Sequence, residues 1–188
     1  MKKGCLDLVK TLLMMENPEI TGMLPDKQGS YCLVFHLKDP TKVAVGKFGT
    51  YFFQQGFYYY FGSAKGSGGL RARINRHVSM EKKKFWHIDY LRSYLIFIAV
   101  VFTMDINKEC EWSQKIEEKF SFNVPVKGFG SGDCRSSCKA HLLYSNTLVD
   151  LEEFCNSLEN SNLEFVSSPL LVQKLDESTV KSKEEISI

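Results

Sequence analysis

Residues Leu95–Phe102 read LIFIAVVF, the longest unbroken apolar run in the chain. A helix needs about 20 apolar residues to cross a bilayer, so this run is far too short to span one. It has the length of a buried strand. Strand-like segments precede it: SYCLVFHL from Ser30, KVAVGKF from Lys42 and GFYYYFG from Gly56. Asp39-Pro40 and Gln54-Gln55-Gly56 punctuate them, which predicts an antiparallel meander. The period turns helical from Leu70, where Leu70, Arg73, Ile74 and His77 fall on one face. WHIDYLRSYL from Trp86 and INKECEWSQKIEEKF from Ile106 read as further helices, the second with Asp105 as its N-cap.

With 188 residues, 44% of them hydrophobic, the chain can form one domain of ordinary size with extensions. Three regions are expected. Residues 1–24 hold an amphipathic helix, with Cys5, Leu6, Val9, Leu12 and Leu13 on one face, and a linker broken at Asn17-Pro18. Residues 25–145 form the main domain. Residues 146–188 hold a second amphipathic stripe, made by Leu148, Leu151, Phe154, Cys155 and Leu158. An acidic, serine-rich tail follows and is expected to be disordered. The main domain carries 18 Lys and Arg against 10 Asp and Glu; the last region carries 3 against 9. A basic body with an acidic tail points to a polyanionic partner for the body. The six cysteines are scattered and follow no signal peptide. Reduced thiols are expected, in a cytoplasmic protein or a nucleoid-associated or nuclear one, without membrane association.

The stretch FYYYFGSAKGSGGLRARINRH, Phe57–His77, runs three tyrosines into a glycine-rich loop and a basic helix. Such loops hold phosphates where backbone N–H groups and a helix N-terminus point at the anion. A P-loop is excluded: the one Gly-Lys pair, Gly46-Lys47, is followed by Phe48. The dinucleotide fingerprint fails too, since Arg71 takes the place of its third glycine. No nucleotide cofactor is expected.

Gly29-Ser30-Tyr31, Tyr60-Phe61-Gly62, the helix opening at Gly69 and a glutamate-bearing helix after the buried strand come in a characteristic order. That order resembles the GIY-YIG nuclease superfamily. YFGSAKGSGGLRARINRH, KKFWHIDYL and GFGSGDC…HLLY resemble, more narrowly, a branch found alone or attached to DNA-repair glycosylase domains. The likeness covers roughly residues 28–144. It implies a small α/β (α+β) domain, a central antiparallel sheet flanked by helices. It also implies a metal-dependent endonuclease that hydrolyses phosphodiester bonds with one Mg²⁺ (or Mn²⁺). DNA, structured or damaged, is the implied partner, with RNA a second candidate and DNA-repair proteins as associates.

Carried over residue by residue, Tyr31 and Tyr60 match the motif tyrosines that activate water and position phosphate. Arg73 matches the arginine that stabilises the transition state, His77 the histidine that assists, and Glu109 the metal ligand. The chain departs from the pattern in four places, one of them the family's final Asp-Cys-x-Cys-like element, which here reads Asp133-Cys134-Arg135-Ser136-Ser137-Cys138 with added spacing. Phe61 replaces the usual isoleucine. The gap between the tyrosine motifs is long, and Gly49-Thr50-Tyr51 offers a second frame, so Tyr51 rivals Tyr31. The asparagine usual after the metal glutamate has only Asn123 and Asp133 as candidates.

The residues support part of this independently. Arg73 shares a face with Leu70 and Ile74, and an inward guanidinium needs an anion, carboxylate or phosphate. Glu109 shares a face with Trp112, Ser113, Ile116 and Phe120, and an inward carboxylate needs a cation or a metal. An internal Glu109–Arg73 ion pair satisfies both demands equally well. Tyr58 and Tyr59 are expected to pack across strands. Lys65, Arg71, Arg76, Lys83, Lys84 and His87 are candidates for gripping nucleic acid; for His87, as for Asp89, a place in the fold's hydrogen bonding is the preferred expectation. Lys82, Lys83 and Lys84 also read as a plain solvated run, and Arg71 and Arg76 as helix surface. Trp86 can stack on a base, but core packing is the preferred expectation. Cys110, Cys134, Cys138 and His141 raise zinc as an idea. Cys-x3-Cys-x2-His is not a common finger spacing, however, and simple burial of the thiols is preferred. The competing function is a nucleic-acid-binding module that keeps the basic loop and helix but does not cleave.

Overall fold

The computed structural model describes residues 22–132, 134, 136, 138–158 and 163–167. The expected N-terminal amphipathic helix and the tail beyond 167 lie outside the described residues. The main sheet has five antiparallel strands: β1 (Gly29–Leu37), β4 (Gly56–Ala64), β5 (Leu95–Thr103), β6 (Leu142–Ser145) and β7 (Glu164–Ser167). Their spatial order is β6-β4-β1-β5-β7. Among the described residues, four α-helices complete the fold: α1 (Gly69–Val78), α2 (His87–Leu91), α3 (Glu109–Phe120) and α4 (Leu151–Ser157). This is the expected α+β architecture. Among the described residues, no helix is long and apolar enough to cross a membrane.

Strand alternation builds two cores, one on each face. Tyr31, Leu33, Phe35, Tyr58, Tyr60, Val100 and Phe102 face one side, where Leu70 and Ile74 of α1 and Ile88 and Leu91 of α2 cover them. Cys32, Val34, Tyr59, Phe61 and Val101 face the other, under Trp112 and Ile116 of α3 and Phe154 of α4. A bulge in β5 leaves the alternation locally out of step: Val34 pairs with Ala99 but Phe35 with Phe97. Ile98 and Ala99 therefore both face the α3 side. Tyr58 and Tyr59 are fully buried on opposite faces, as the packing expectation required. The Tyr58 hydroxyl donates to Gln54 O at 2.7 Å, and Val149 N donates to the Tyr59 hydroxyl at 3.1 Å.

The meander expectation needs correction. β1 pairs with β4 along its whole length, not with the next strand in sequence. β2 (Thr41–Val45) and β3 (Gly49–Phe53) instead form a separate hairpin. Val43, Val45 and Phe53 bury that hairpin against the α1 side of the sheet. It fills the long gap between the two tyrosine motifs, so the extra residues leave the β1–β4 register intact. The cap of α3 is also different. Lys108, not Asp105, holds the N-cap position, and its backbone N–H donates to Ser30 Oγ at 2.9 Å. That bond seats the start of α3 at the beginning of β1. Finally, the sheet does not end at residue 145. Phe154 and Leu158 join the second core, and β7 pairs with β5.

Candidate active site

The glycine-rich loop is a turn held by the chain itself. Gly68 and Gly69 have φ of 85° and 55°, in the left-handed region that glycine enters without cost. A side chain on Gly69 would run into the backbone of Lys27. The free N–H groups at the start of α1 are taken by that neighbouring segment. Leu70 N donates to Lys27 O at 2.8 Å and Arg71 N to Pro25 O at 3.1 Å. With those donors spent, the helix terminus offers no phosphate cradle.

The turn brings α1 across the end of β1 and β4. Tyr31 of β1 lies opposite Gly62 of β4, and its ring occupies the space a Cβ there would need. His77 sits 6.0 Å from the Tyr31 ring and 5.5 Å from the Tyr60 ring, centre to centre. Arg73 lies one turn back on α1. Its guanidinium is 4.9 Å from the centre of the half-buried Trp86 ring, so Trp86 both packs on the core and carries a cation. Glu109 opens α3. Among the described residues, neither Arg73 nor Glu109 has a side-chain hydrogen bond or ion pair to a protein group. The Glu109–Arg73 pair allowed by the sequence does not form.

Electrostatics tie the group together. Burial pushes the Tyr31 hydroxyl well above its ordinary pKa; Tyr60, Glu109 and Asp89 add to the rise, and Arg73 opposes it. Tyr31 therefore keeps its proton at neutral pH. Burial depresses the His77 imidazole below its ordinary value, and the nearby Asp89 carboxylate offsets this only in part. His77 Nδ1 is 3.7 Å from Asp89 Oδ1, beyond hydrogen-bond distance, and has no hydrogen-bond partner. The sign of the linkage follows. The unfolded histidine takes a proton near pH 6.5 while the buried one stays neutral, so stability falls as pH drops below about 6.5. Urea titrations from pH 7.5 to 5 are expected to show a shallower loss of stability for His77→Gln than for wild type.

Tyr51 lies apart, in β3. Its hydroxyl donates to Phe48 O at 2.9 Å and its ring packs on Phe48. The geometry groups Tyr31, not Tyr51, with Tyr60 and His77. Asn123 is exposed and bridges Tyr144 through the backbone. Asp133 lies outside the described residues.

The basic residues divide. Lys65, Lys83 and Lys84 are exposed. Arg76 is committed internally: its guanidinium donates to both carboxylate oxygens of Asp89 at 3.0–3.2 Å. Arg71 donates from Nε to Leu24 O and pairs with Asp26 at 2.9 Å. His87 stacks on Phe48, and its Nδ1 accepts from Gly130 N at 3.1 Å. Lys82 departs from the solvated run altogether. Its side chain is 8% exposed, and Nζ reaches Arg76 O, His77 O and Asp89 Oδ1 at 2.7–3.0 Å. An ammonium with three donors satisfies the last carbonyls of α1, which a helix C-terminus leaves open.

Asp89, expected to serve the fold's hydrogen bonding, is a hub, also accepting from the N–H groups of Phe85 and Trp86 at 2.9 Å. Burial alone would raise its carboxyl, but His77, the Trp86 and Phe85 N–H groups and Lys82 hold it well below the usual carboxylate range. Phe85, 72% exposed, stands edge-on to Trp86 beside Lys84. Cys110, Cys134 and Cys138 are half-buried, and they converge with His141 so that their ligand atoms lie within 4.8 Å of one another.

At this level the chain is an α+β domain with a polar site where α1 and α3 meet the end of the central strands. It belongs to the family described as "Domain of unknown function DUF123", whose model matches residues 30–163. No curated protein and no solved structure matches it.

Proposed function

We propose that the chain is a divalent-metal-dependent endonuclease that hydrolyses phosphodiester bonds in DNA, in structured or damaged sites. The observation that carries this is the pairing of needs around Tyr31. A guanidinium and a carboxylate, Arg73 and Glu109, both act electrostatically on the same buried hydroxyl, and neither has a protein counter-ion among the described residues. A phosphate satisfies the first and a hard cation the second. A single carboxylate at a half-exposed helix start suits Mg²⁺, which keeps most of its water, so Glu109 is the residue that would hold it. When bound there, the ion supplies Lewis-acid polarisation of a phosphoryl oxygen.

The chain's own groups divide the rest of the work. Arg73 neutralises charge building on the phosphate. Tyr31, held protonated, donates a hydrogen bond to a phosphate oxygen rather than accepting a proton from water. Tyr60 and the glycine turn fix the position of His77. Neutral His77, whose Nδ1 faces the Asp89 carboxylate, accepts a proton at its other nitrogen, Nε2. Lys65, Lys83 and Lys84 attract the backbone, and exposed Phe85 offers a stacking face.

The test is a panel of nicked, flapped, branched and supercoiled DNA incubated with purified protein and Mg²⁺ or Mn²⁺. Cleavage of at least one substrate, with binding that weakens steeply as salt rises, is the expected result. Binding without cleavage of any of them would leave the non-cleaving module as the function.

A further inference from the structure

We infer that Cys110, Cys134, Cys138 and His141 form a closed, structural Zn²⁺ site that ties the first turn of α3 to the loop before β6. The inference is independent of the nuclease reading. Cys110 lies on the first turn of α3, directly after Glu109. Cys134 and Cys138 lie between α3 and β6, and His141 immediately precedes β6. These positions are remote in sequence, yet Cys110 Sγ is 3.2 Å from Cys134 Sγ and 3.5 Å from His141 Nε2. Tetrahedral zinc binds sulfur at about 2.3 Å and nitrogen at about 2.0 Å, which sets the ligand atoms about 3.5–3.8 Å apart. A set of atoms all within 4.8 Å of one another closes onto that geometry with sub-ångström shifts.

The ligand chemistry selects the metal. Three thiols and an imidazole are soft and borderline donors, unlike the oxygen set that Mg²⁺ needs. Four protein ligands leave no open position, which is the pattern of a structural rather than a catalytic zinc. The surrounding bonds hold the loop onto α3 in the required place. Ser113 Oγ donates to Ala140 O at 2.8 Å, Gln114 Nε2 to Ser136 O at 3.2 Å, and His141 N to Phe129 O at 2.8 Å. A Cys110–Cys134 disulfide would use two of the sulfurs but leave the convergence of Cys138 and His141 without a purpose. Zinc uses all four. Because Glu109 adjoins Cys110, the same clamp sets the direction in which Glu109 points.

The test is metal analysis of the full chain purified under reducing conditions without chelators, followed by replacement of the metal with Co²⁺. About one zinc per chain is expected, with a coordination shell of three sulfurs and one nitrogen by X-ray absorption. The cobalt form is expected to show the intense visible bands of tetrahedral thiolate ligation. Cys138→Ser is expected to lower zinc content at least tenfold, and Cys155→Ser, outside the cluster, to leave it unchanged. If Cys138→Ser does not fold, the wild-type absorption spectrum alone decides. Wild-type protein that neither carries zinc nor takes up one equivalent of Zn²⁺ or Co²⁺ on thiolates would overturn the inference. So would a reducing-condition Cys110–Cys134 disulfide, or zinc retained in full by Cys138→Ser.

Discussion

Glu109→Ala is expected to abolish Mg²⁺-dependent DNA cleavage while DNA affinity stays within about twofold of wild type. A ligated cation contributes several kcal/mol to a phosphoryl-transfer transition state, so losing its one protein ligand should cost about a thousandfold or more in rate. Binding is carried elsewhere, by exposed lysines and by Arg73, and removing a negative charge from a basic face does not weaken it. The fold should also survive. The Glu109 side chain makes no hydrogen bond or ion pair among the described residues, and α3 is held by Trp112 and Ile116 in the core and by the Lys108–Ser30 bond. A Glu109→Ala protein with unchanged thermal unfolding, bound DNA and no cleavage is the combination to look for. In such assays Mg²⁺ should be withheld rather than chelated, because a chelator strong enough to strip it would also draw Zn²⁺ from the site proposed at Cys110, Cys134, Cys138 and His141.

Asp89→Ala is expected to be the most destabilising single change at the site, by about 3–5 kcal/mol in urea unfolding at pH 7. The Asp89 side chain is fully shielded from solvent and faces Arg76 and Lys82. Its removal leaves two cations and the N–H groups of Phe85 and Trp86 without their shared acceptor. The pH dependence has a definite sign. A carboxylate whose folded pKa is depressed contributes fully above its unfolded value near 4, and the contribution is lost as pH falls below that. The gap between wild type and Asp89→Ala should therefore be widest near neutrality and narrow in acid. Asp89→Asn keeps an acceptor for the two N–H groups and should fall between the two. A loss below about 1 kcal/mol for Asp89→Ala would place the two cations in water, contrary to the geometry.

What the sequence disclosed followed from how local each signal was. The run Leu95–Phe102 and the apolar faces of α1 and α3 are set by neighbours within two turns or one strand, so β5, Leu70, Ile74, Trp112 and Ile116 were legible. The β2–β3 hairpin was not. Its β3 strand alternates weakly and is half-exposed, and nothing local says that β1 will skip it to pair with β4. The fates of Lys82 and Arg76 were hidden for a related reason. A charge run looks solvated until a distant carboxylate, here Asp89 on α2, draws it inward. The thiol cluster joins Cys110 to residues beyond 130 across the sheet edge, and no spacing rule within one segment encodes such a set. Tyr31, Tyr60, Arg73 and His77 were named from the resemblance, and the structure brings His77 against both tyrosine rings with Arg73 one turn away on the same helix. That Tyr31 would hold its proton, and that Asp89 would face His77 Nδ1, depended on burial and on a contact made only in the fold.

Central to the proposed function is phosphodiester cleavage by the Tyr31, Arg73, His77 and Glu109 cluster. Single-turnover cleavage of an end-labelled branched duplex, with wild type and Glu109→Ala side by side at saturating protein and Mg²⁺, measures this activity. Cut product is expected from wild type and at least about a thousandfold less from the variant, with both equally bound. Equal rates in the two proteins, or a fully bound wild-type complex that never yields product with either Mg²⁺ or Mn²⁺, would contradict it.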